Sequence, residues 1–205
     1  IGVKENNWLG TGKSVAFDFE IDSESITGVI NYVDPNYNFL GNSLRYSLAS
    51  ENNDKPDQGY ENSVYSASIG TTFEQYKDFN AFLGAEISYD DLTTVESASD
   101  NLKKQSGSFE ELSALYGFNI DKRDKPFKPS SGYIFKFDQT APVYADKPSL
   151  DNTLSLSTYK TLSENVIGAS KFFVSTINGL GSDDVRLSKR KNLSTKRIRG
   201  FERNK

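Results

Sequence analysis

The chain has 205 residues, 36% of them hydrophobic, and a formal charge of -4; that length suits one all-β domain, and that charge gives no reason to expect nucleic acid as a partner. It contains neither cysteine nor histidine, which excludes disulfides, thiolate metal sites and the commonest general base and zinc ligand. No run of about eighteen apolar residues exists to make a membrane helix, whereas barrel strands, which place only every second residue in lipid, remain allowed.

Methionine is absent as well, so residue 1 is not a natural start, and no signal peptide precedes the first strand. The chain also stops at Lys205 with no terminating pattern. It is expected to be an internal piece of a larger protein.

A period of two runs through nearly the whole chain. In chain order it predicts ten strands, over 1–7, 12–23, 25–37, 42–50, 60–73, 79–92, 110–121, 133–142, 154–162 and 166–180. In the second, Val15, Phe17, Phe19 and Ile21 alternate with Ser14, Asp18, Glu20 and Asp22. In the sixth, Phe79, Ala81, Leu83, Ala85, Ile87 and Tyr89 share one face, and Asn80, Gly84, Glu86 and Ser88 the other, with Phe82 as the exception. Leu112, Ala114, Tyr116, Phe118 and Ile120 continue the pattern in the seventh, and Tyr133, Phe135 and Phe137 oppose Lys136 and Asp138 in the eighth. In the tenth, Lys171 shares a face with Ile167, Ala169, Phe173 and Ile177 while the opposite face is also apolar, so that strand has no evident orientation.

Such alternation means one apolar and one wet face. A soluble sandwich alternates too, but its strands run to about five or six residues, whereas a tilted bilayer crossing needs about nine to eleven. The connections over 22–24, 51–59, 93–108, 143–152 and beyond 180 are on average longer and more polar than those over 7–11, 34–41, 74–78, 121–132 and 162–165. Aromatics (Trp8, Tyr32, Tyr37, Phe39, Phe73, Tyr76, Phe127, Tyr144) gather near strand ends, as an interfacial girdle does. The fold class read from this is an all-β, antiparallel transmembrane β-barrel, present only in part. Asp18, Glu20, Arg45, Glu86, Lys136 and Asp138 are assigned to its wet inner wall.

Three connections go beyond composition. Asn7, Trp8, Leu9, Gly10, Thr11 and Gly12 form a hairpin whose glycines are free to take positive φ. The segment 121–132 carries Arg123, Asp124, Pro129 and Gly132, a proline-stiffened turn in which Arg123 and Asp124 are stabilising residues. The third is Ile198, Arg199, Gly200 and Phe201. Together with Asp34-Pro35 and Tyr37, and in this order, these elements resemble the family of BamA-like outer-membrane protein assembly factors. The resemblance covers essentially the whole chain. One departure is Leu193-Ser194-Thr195, where family members often carry a Gly-Gly pair.

The resemblance implies a sixteen-stranded barrel, of which residues 1–205 are a fragment holding strands two to eleven. Residues 181–205 would be an extracellular loop that folds back into the lumen. There Arg199 would be the anchoring cation, Gly200 the residue permitting the tight turn, and Phe201 the apolar plug, with the acidic partner beyond Lys205. The implied function is assembly and insertion of β-barrel proteins into the bacterial outer membrane, without enzymatic activity, cofactor or metal. The implied partners are the outer-membrane bilayer, client outer-membrane barrels and accessory lipoproteins reached through periplasmic domains, with no nucleic acid. A related barrel that exports polypeptides, TamA-like or of two-partner secretion, is the alternative.

Two charged features have plainer readings. The basic run of Lys189, Arg190 and Lys191 with Lys196 and Arg197 is read as a solvated loop face in preference to a contact with lipopolysaccharide or anionic lumen groups. Asp90-Asp91 and Asp183-Asp184 lack the ligand spacing of a known calcium loop.

Overall fold

A computed structural model describes residues 1–96, 98–181 and 184–191, apart from the side chain of Asp57. Ten strands form a single sheet in which each pairs antiparallel with the next in the chain. They are β1 (Gly2–Glu5), β2 (Ser14–Ile21), β3 (Ser25–Asp34), β4 (Ser43–Lys55) and β5 (Tyr60–Tyr76). Then come β6 (Phe79–Thr94), β7 (Gly107–Asp121), β8 (Gly132–Ala145), β9 (Ser149–Ser163) and β10 (Val166–Gly179), with one short helix, α1 (Asp100–Lys103), between β6 and β7. β1 and β10 are the two edges, so the sheet is open.

Among the described residues the sheet packs against no second sheet. Phe17 is 44% exposed and Leu83 53%, positions that a sandwich would bury between its layers. Among the described residues only Tyr60, Leu92, Phe109 and Leu187 form a buried apolar cluster, far too little for a soluble domain of this length.

The register aligns one apolar face across neighbouring strands. Leu48 pairs with Ala67, Ala67 with Ile87, Ile87 with Leu112 and Leu112 with Tyr144. At one border of this band Phe118 stands 5.5 Å from Phe79, 5.8 Å from Phe135 and 5.7 Å from Phe137, ring centre to ring centre. Tyr65 and Tyr89 pair at the other border. The stretch of β6 between these aromatic rows has the length of a tilted crossing, about nine to eleven residues.

The opposite face carries Asp18, Arg45, Glu86, Lys136 and Asp138 at in-register positions. Lys171 belongs to it too: it pairs with Ser157, and Phe173 with Ser155, while Ser155 pairs in turn with Lys136. Phe172 and Val174 therefore join the apolar face. Pairing thus orients β10, whose own pattern is ambiguous because both faces read apolar. Phe82 breaks alternation for a local reason: its ring lies over two glycines, and a Cβ added to Gly70 or Gly84 would come within 2.4 or 3.1 Å of it. A phenyl ring on the wet face fills the space those residues leave open.

Several strands run past their expected ends, and the connections beyond them shorten. β5 has 17 residues and β6 has 16; at about 3.3 Å per residue β5 spans roughly 55 Å, well beyond the hydrocarbon core. Residues 51–55, 93–94, 107–109 and 143–145 continue the strands, leaving connections over 56–59, 95–106 and 146–148. At the other end the connections run over 6–13, 35–42, 77–78, 122–131 and 164–165. Polar composition misled because a strand that leaves the membrane no longer needs an apolar outer face: Glu61, Asp91 and Glu110 are exposed there between buried neighbours. There Asn53 Nδ2 donates to Asn62 Oδ1 at 3.2 Å, and Asn62 Nδ2 to Asp90 Oδ1 at 3.0 Å, a side-chain ladder across three strands.

Candidate functional site

The most enclosed polar cluster lies where residues 184–191 cross the wet face of the extended strands. β6 and β7 supply its carboxylates. Asp90 pairs with Phe109 and Ser88 with Glu111, so Asp90 and Glu111 project from the same face on adjacent strands. Arg186 reaches both: Nη1 lies 3.5 Å from Asp90 Oδ2, and Nη2 donates to Glu111 Oε2. Its guanidinium also sits 5.2 Å from the centre of the Phe109 ring, within cation–π range.

The side chains of Arg186, Asp90 and Glu111 are 2%, 5% and 2% exposed. Further donors complete the site. The Ser188 hydroxyl donates to Asp90, the Lys189 ammonium to Glu111, and Ser113 Oγ to Glu111 Oε1 at 2.6 Å. Two cations thus face two carboxylates. Attraction within such a buried group roughly offsets the cost of desolvating it, so its consequence is a defined position more than a large net stability. Leu187 adds the apolar half by packing with Tyr60, Leu92 and Phe109, with Leu102 of α1 beside them. Farther along, Lys191 pairs with Asp151 of β9.

The two turn motifs stand at the opposite end of the strands. In the first, Asn7 organises the loop: its Oδ1 accepts from the Gly12 amide at 2.7 Å and its carbonyl from the Gly10 amide at 3.0 Å. Thr11 Oγ1 donates back to the Trp8 carbonyl at 2.6 Å. Gly10 and Gly12 take φ of 74° and 72°, as anticipated, and Leu9 joins them at 52°. Leu9 and half-exposed Trp8 project an apolar tip.

In the second turn Arg123 forks onto Asp121, Nε to Oδ1 at 2.8 Å and Nη2 to Oδ2 at 2.7 Å, and its Nη1 donates to the Pro126 carbonyl at 3.2 Å. Asp124 Oδ1 accepts from the amides of Ser130 at 2.9 Å and Ser131 at 3.1 Å, and Oδ2 from the Ser130 hydroxyl at 2.5 Å. Half-buried Pro129 lies within the span that Asp124 closes. Lys122 reaches Asp78 of the neighbouring turn at 2.9 Å, and Thr161 Oγ1 of β9 donates to the Ser130 carbonyl at 3.1 Å. Gly132 has φ of 95°.

The Ser130 hydroxyl and then the amides around Asp124 lower its carboxyl pKa from 3.8 to about 2. A depressed folded-state pKa contributes stability that is complete above the unfolded value and is lost as pH falls through the folded one. Protection of the Ser130 and Ser131 amides against hydrogen exchange is therefore expected to hold above pH 4 and to fall between about pH 4 and 2. With Asp124→Ala it is low at every pH; an unchanged pH profile in that variant would contradict the assignment.

A family model described as the Omp85 superfamily domain matches residues 7–205. The chain belongs to the Omp85 superfamily. Among solved structures, BamA from Haemophilus ducreyi lacking POTRA domains 1–3 is similar, with a TM-score of 0.79 at 19% sequence identity. The likeness covers 92% of this chain and 40% of that one. No curated protein matches. The open sheet is thus part of a barrel wall of BamA-like fold in an outer-membrane β-barrel family, its apolar face outward and its wet face towards the lumen.

Within this Omp85 wall the sequence-derived positions fall in three groups. Asn7, Trp8, Leu9, Gly10, Thr11 and Gly12 form one hydrogen-bonded turn, and Arg123, Asp124, Pro129 and Gly132 another, on the same rim. Ile198, Arg199, Gly200 and Phe201 lie outside the described residues. Arg186 and Glu111 escaped sequence reasoning, and Asp90 entered it only as one of an acidic pair without calcium-loop spacing. The basic run, read as a solvated face, instead sends Lys189 and Lys191 to strand carboxylates. One signal was available: Asp90 and Glu111 both occupy inward positions next to apolar Leu92 and Phe109, and buried carboxylates call for a cation.

Proposed function

We propose that this chain is the larger part of the barrel wall of an Omp85 protein that assembles and inserts β-barrel proteins into the bacterial outer membrane. Residues 1–205 would be strands two to eleven of a sixteen-stranded barrel, and 181–205 its lumen-directed extracellular loop. The observation that carries this reading is a meander of membrane-length strands whose two turn motifs share one rim while the loop that leads to Arg199 is drawn onto the inner wall. Open strand edges are intolerable in lipid. A barrel whose closure is weak lets an incoming strand pair by β-augmentation, so the client backbone enters the bilayer already hydrogen-bonded. That step involves no cofactor. The partners are the bilayer, client barrels and, through periplasmic domains, accessory lipoproteins.

The test uses the full-length protein in liposomes. Folding of an added unfolded outer-membrane barrel, read by its heat-modifiable mobility, is expected to be faster than in empty liposomes. It is expected to slow when Arg199→Ala replaces the wild type. No acceleration, together with passage of an unfolded polypeptide into the liposome, would replace assembly with export. Wild-type rates in the Arg199→Ala protein would remove the anchoring role of that residue.

A further inference from the structure

We propose that the turn between β7 and β8 is an anchor for anionic phospholipid: the Phe127 ring enters the headgroup layer of the leaflet on its own rim, and Lys125 and Lys128 take the lipid phosphates. This rests on the sheet being an outer-membrane barrel wall, and on nothing about clients.

The charges of the turn are sorted before any lipid arrives. Lys122 is held by Asp78 and Arg123 by Asp121, while Asp124 is occupied by Ser130 and Ser131. Lys125 and Lys128 are exposed and have no carboxylate partner among the described residues. Between them Phe127 is 79% exposed, and the Lys128 ammonium lies 5.6 Å from the centre of its ring. An apolar ring capped by a cation suits the boundary between acyl chains and phosphates. The backbone fixes this display: Arg123 Nη1 ties down the Pro126 carbonyl, and Lys128 holds φ of 50°, which residues other than glycine seldom adopt.

Depth favours lipid as the occupant. Phe135, in the aromatic row that borders the apolar face, pairs with Ile120, and the hairpin closes two residues on, where the Lys122 amide donates to the Tyr133 carbonyl. Two residues are about 7 Å of tilted strand, roughly 5 Å in depth. A headgroup layer is about 5–7 Å thick, so the turn opens within it. Leu9, Phe39 and Tyr76 are exposed at other turns of the same rim. The opposite connections 22–24, 56–59 and 146–148 carry no large apolar residue. A bilayer reaches every turn of a rim, which a single docked domain does not.

The full-length protein is tested in vesicles of phosphatidylcholine, alone or mixed with phosphatidylglycerol, with no client present. A nitroxide at Pro126→Cys, in a protein with no other cysteine, reports depth by its collisions with membrane-soluble oxygen and with a water-soluble nickel chelate. With phosphatidylglycerol the label is expected to meet oxygen and to be shielded from nickel, and high salt weakens the shielding. Lys125→Gln with Lys128→Gln lowers the ratio of inserted to withdrawn turn about thirtyfold, roughly fivefold for each lysine, and abolishes the difference between the two vesicles. Phe127→Ser leaves the label open to nickel in both. A label at Gln58→Cys, on the opposite rim, sets the level for a turn in water. Nickel access at Pro126→Cys equal to that level in phosphatidylglycerol overturns the anchor. So does a label shielded from both reagents whatever the lipid, which would mean that a protein domain covers the turn. Since clients are absent, either failure is separate from a failure of the liposome folding assay.

Discussion

Glu111→Ala is expected to lower the unfolding free energy of the barrel by about 3–5 kcal/mol, the usual consequence of removing one partner from a buried ion pair. The residue is 2% exposed and receives Arg186, Lys189 and Ser113. Without it, Asp90 at 3.5 Å is the one carboxylate left to Arg186 among the described residues, and Ser113 Oγ loses its acceptor. Glu111→Gln preserves shape and an acceptor oxygen, so it is expected to lie between wild type and Glu111→Ala. Pairing Glu111→Gln with Arg186→Gln recovers part of the loss, because two neutral amides need no counter-charge. Urea unfolding of the reconstituted full-length protein provides the measurement. A Glu111→Ala protein within about 0.5 kcal/mol of wild type, the range of ordinary surface changes, would mean that water reaches the cluster and that the burial argument fails.

Gly132→Val is expected to cost at least about 3 kcal/mol, combining a strained positive φ with a backbone collision. A Cβ at this position would sit 2.1 Å from the Lys122 carbonyl oxygen and 3.0 Å from the Arg123 Cα. Neither neighbour is the end of a flexible side chain. The Lys122 amide is also committed to the Tyr133 carbonyl at 2.8 Å, so relief requires opening the first pair of the β7–β8 hairpin. The readout is the fraction of protein that reaches the heat-modifiable, folded form in cells. Gly10→Ala provides the contrast, since a Cβ there has nothing within 4 Å and only its φ of 74° is strained. Equal folded fractions for Gly132→Val and wild type would show that the turn is not under the constraint described.

Most strands were legible because alternation needs only each residue's preference for lipid or water, a local property. The glycine turn at Gly10–Gly12 was legible for a similar reason: backbone handedness belongs to the residue itself. The ends of β4 to β9 were not, because polar residues do not distinguish a loop from a strand whose outer face has left the lipid. The orientation of β10 was also hidden. Lys171 pairs with Ser157, and only a neighbouring strand carries that information.

By itself, then, the sequence determined a membrane-length, two-faced antiparallel wall and the two tight turns on one rim. The physical reason is that period, strand length and glycine placement act within a few residues. That Arg186 meets Asp90 and Glu111 is a product of long-range packing. Those residues stand 96 and 75 positions apart in the chain, and their meeting depends on the register of β6 against β7 and on the path of the segment that returns across the inner face. Burial then turns three ordinary surface-type residues into a charge cluster whose partners cannot be removed singly without cost. No local pattern encodes that, since burial belongs to the assembled wall.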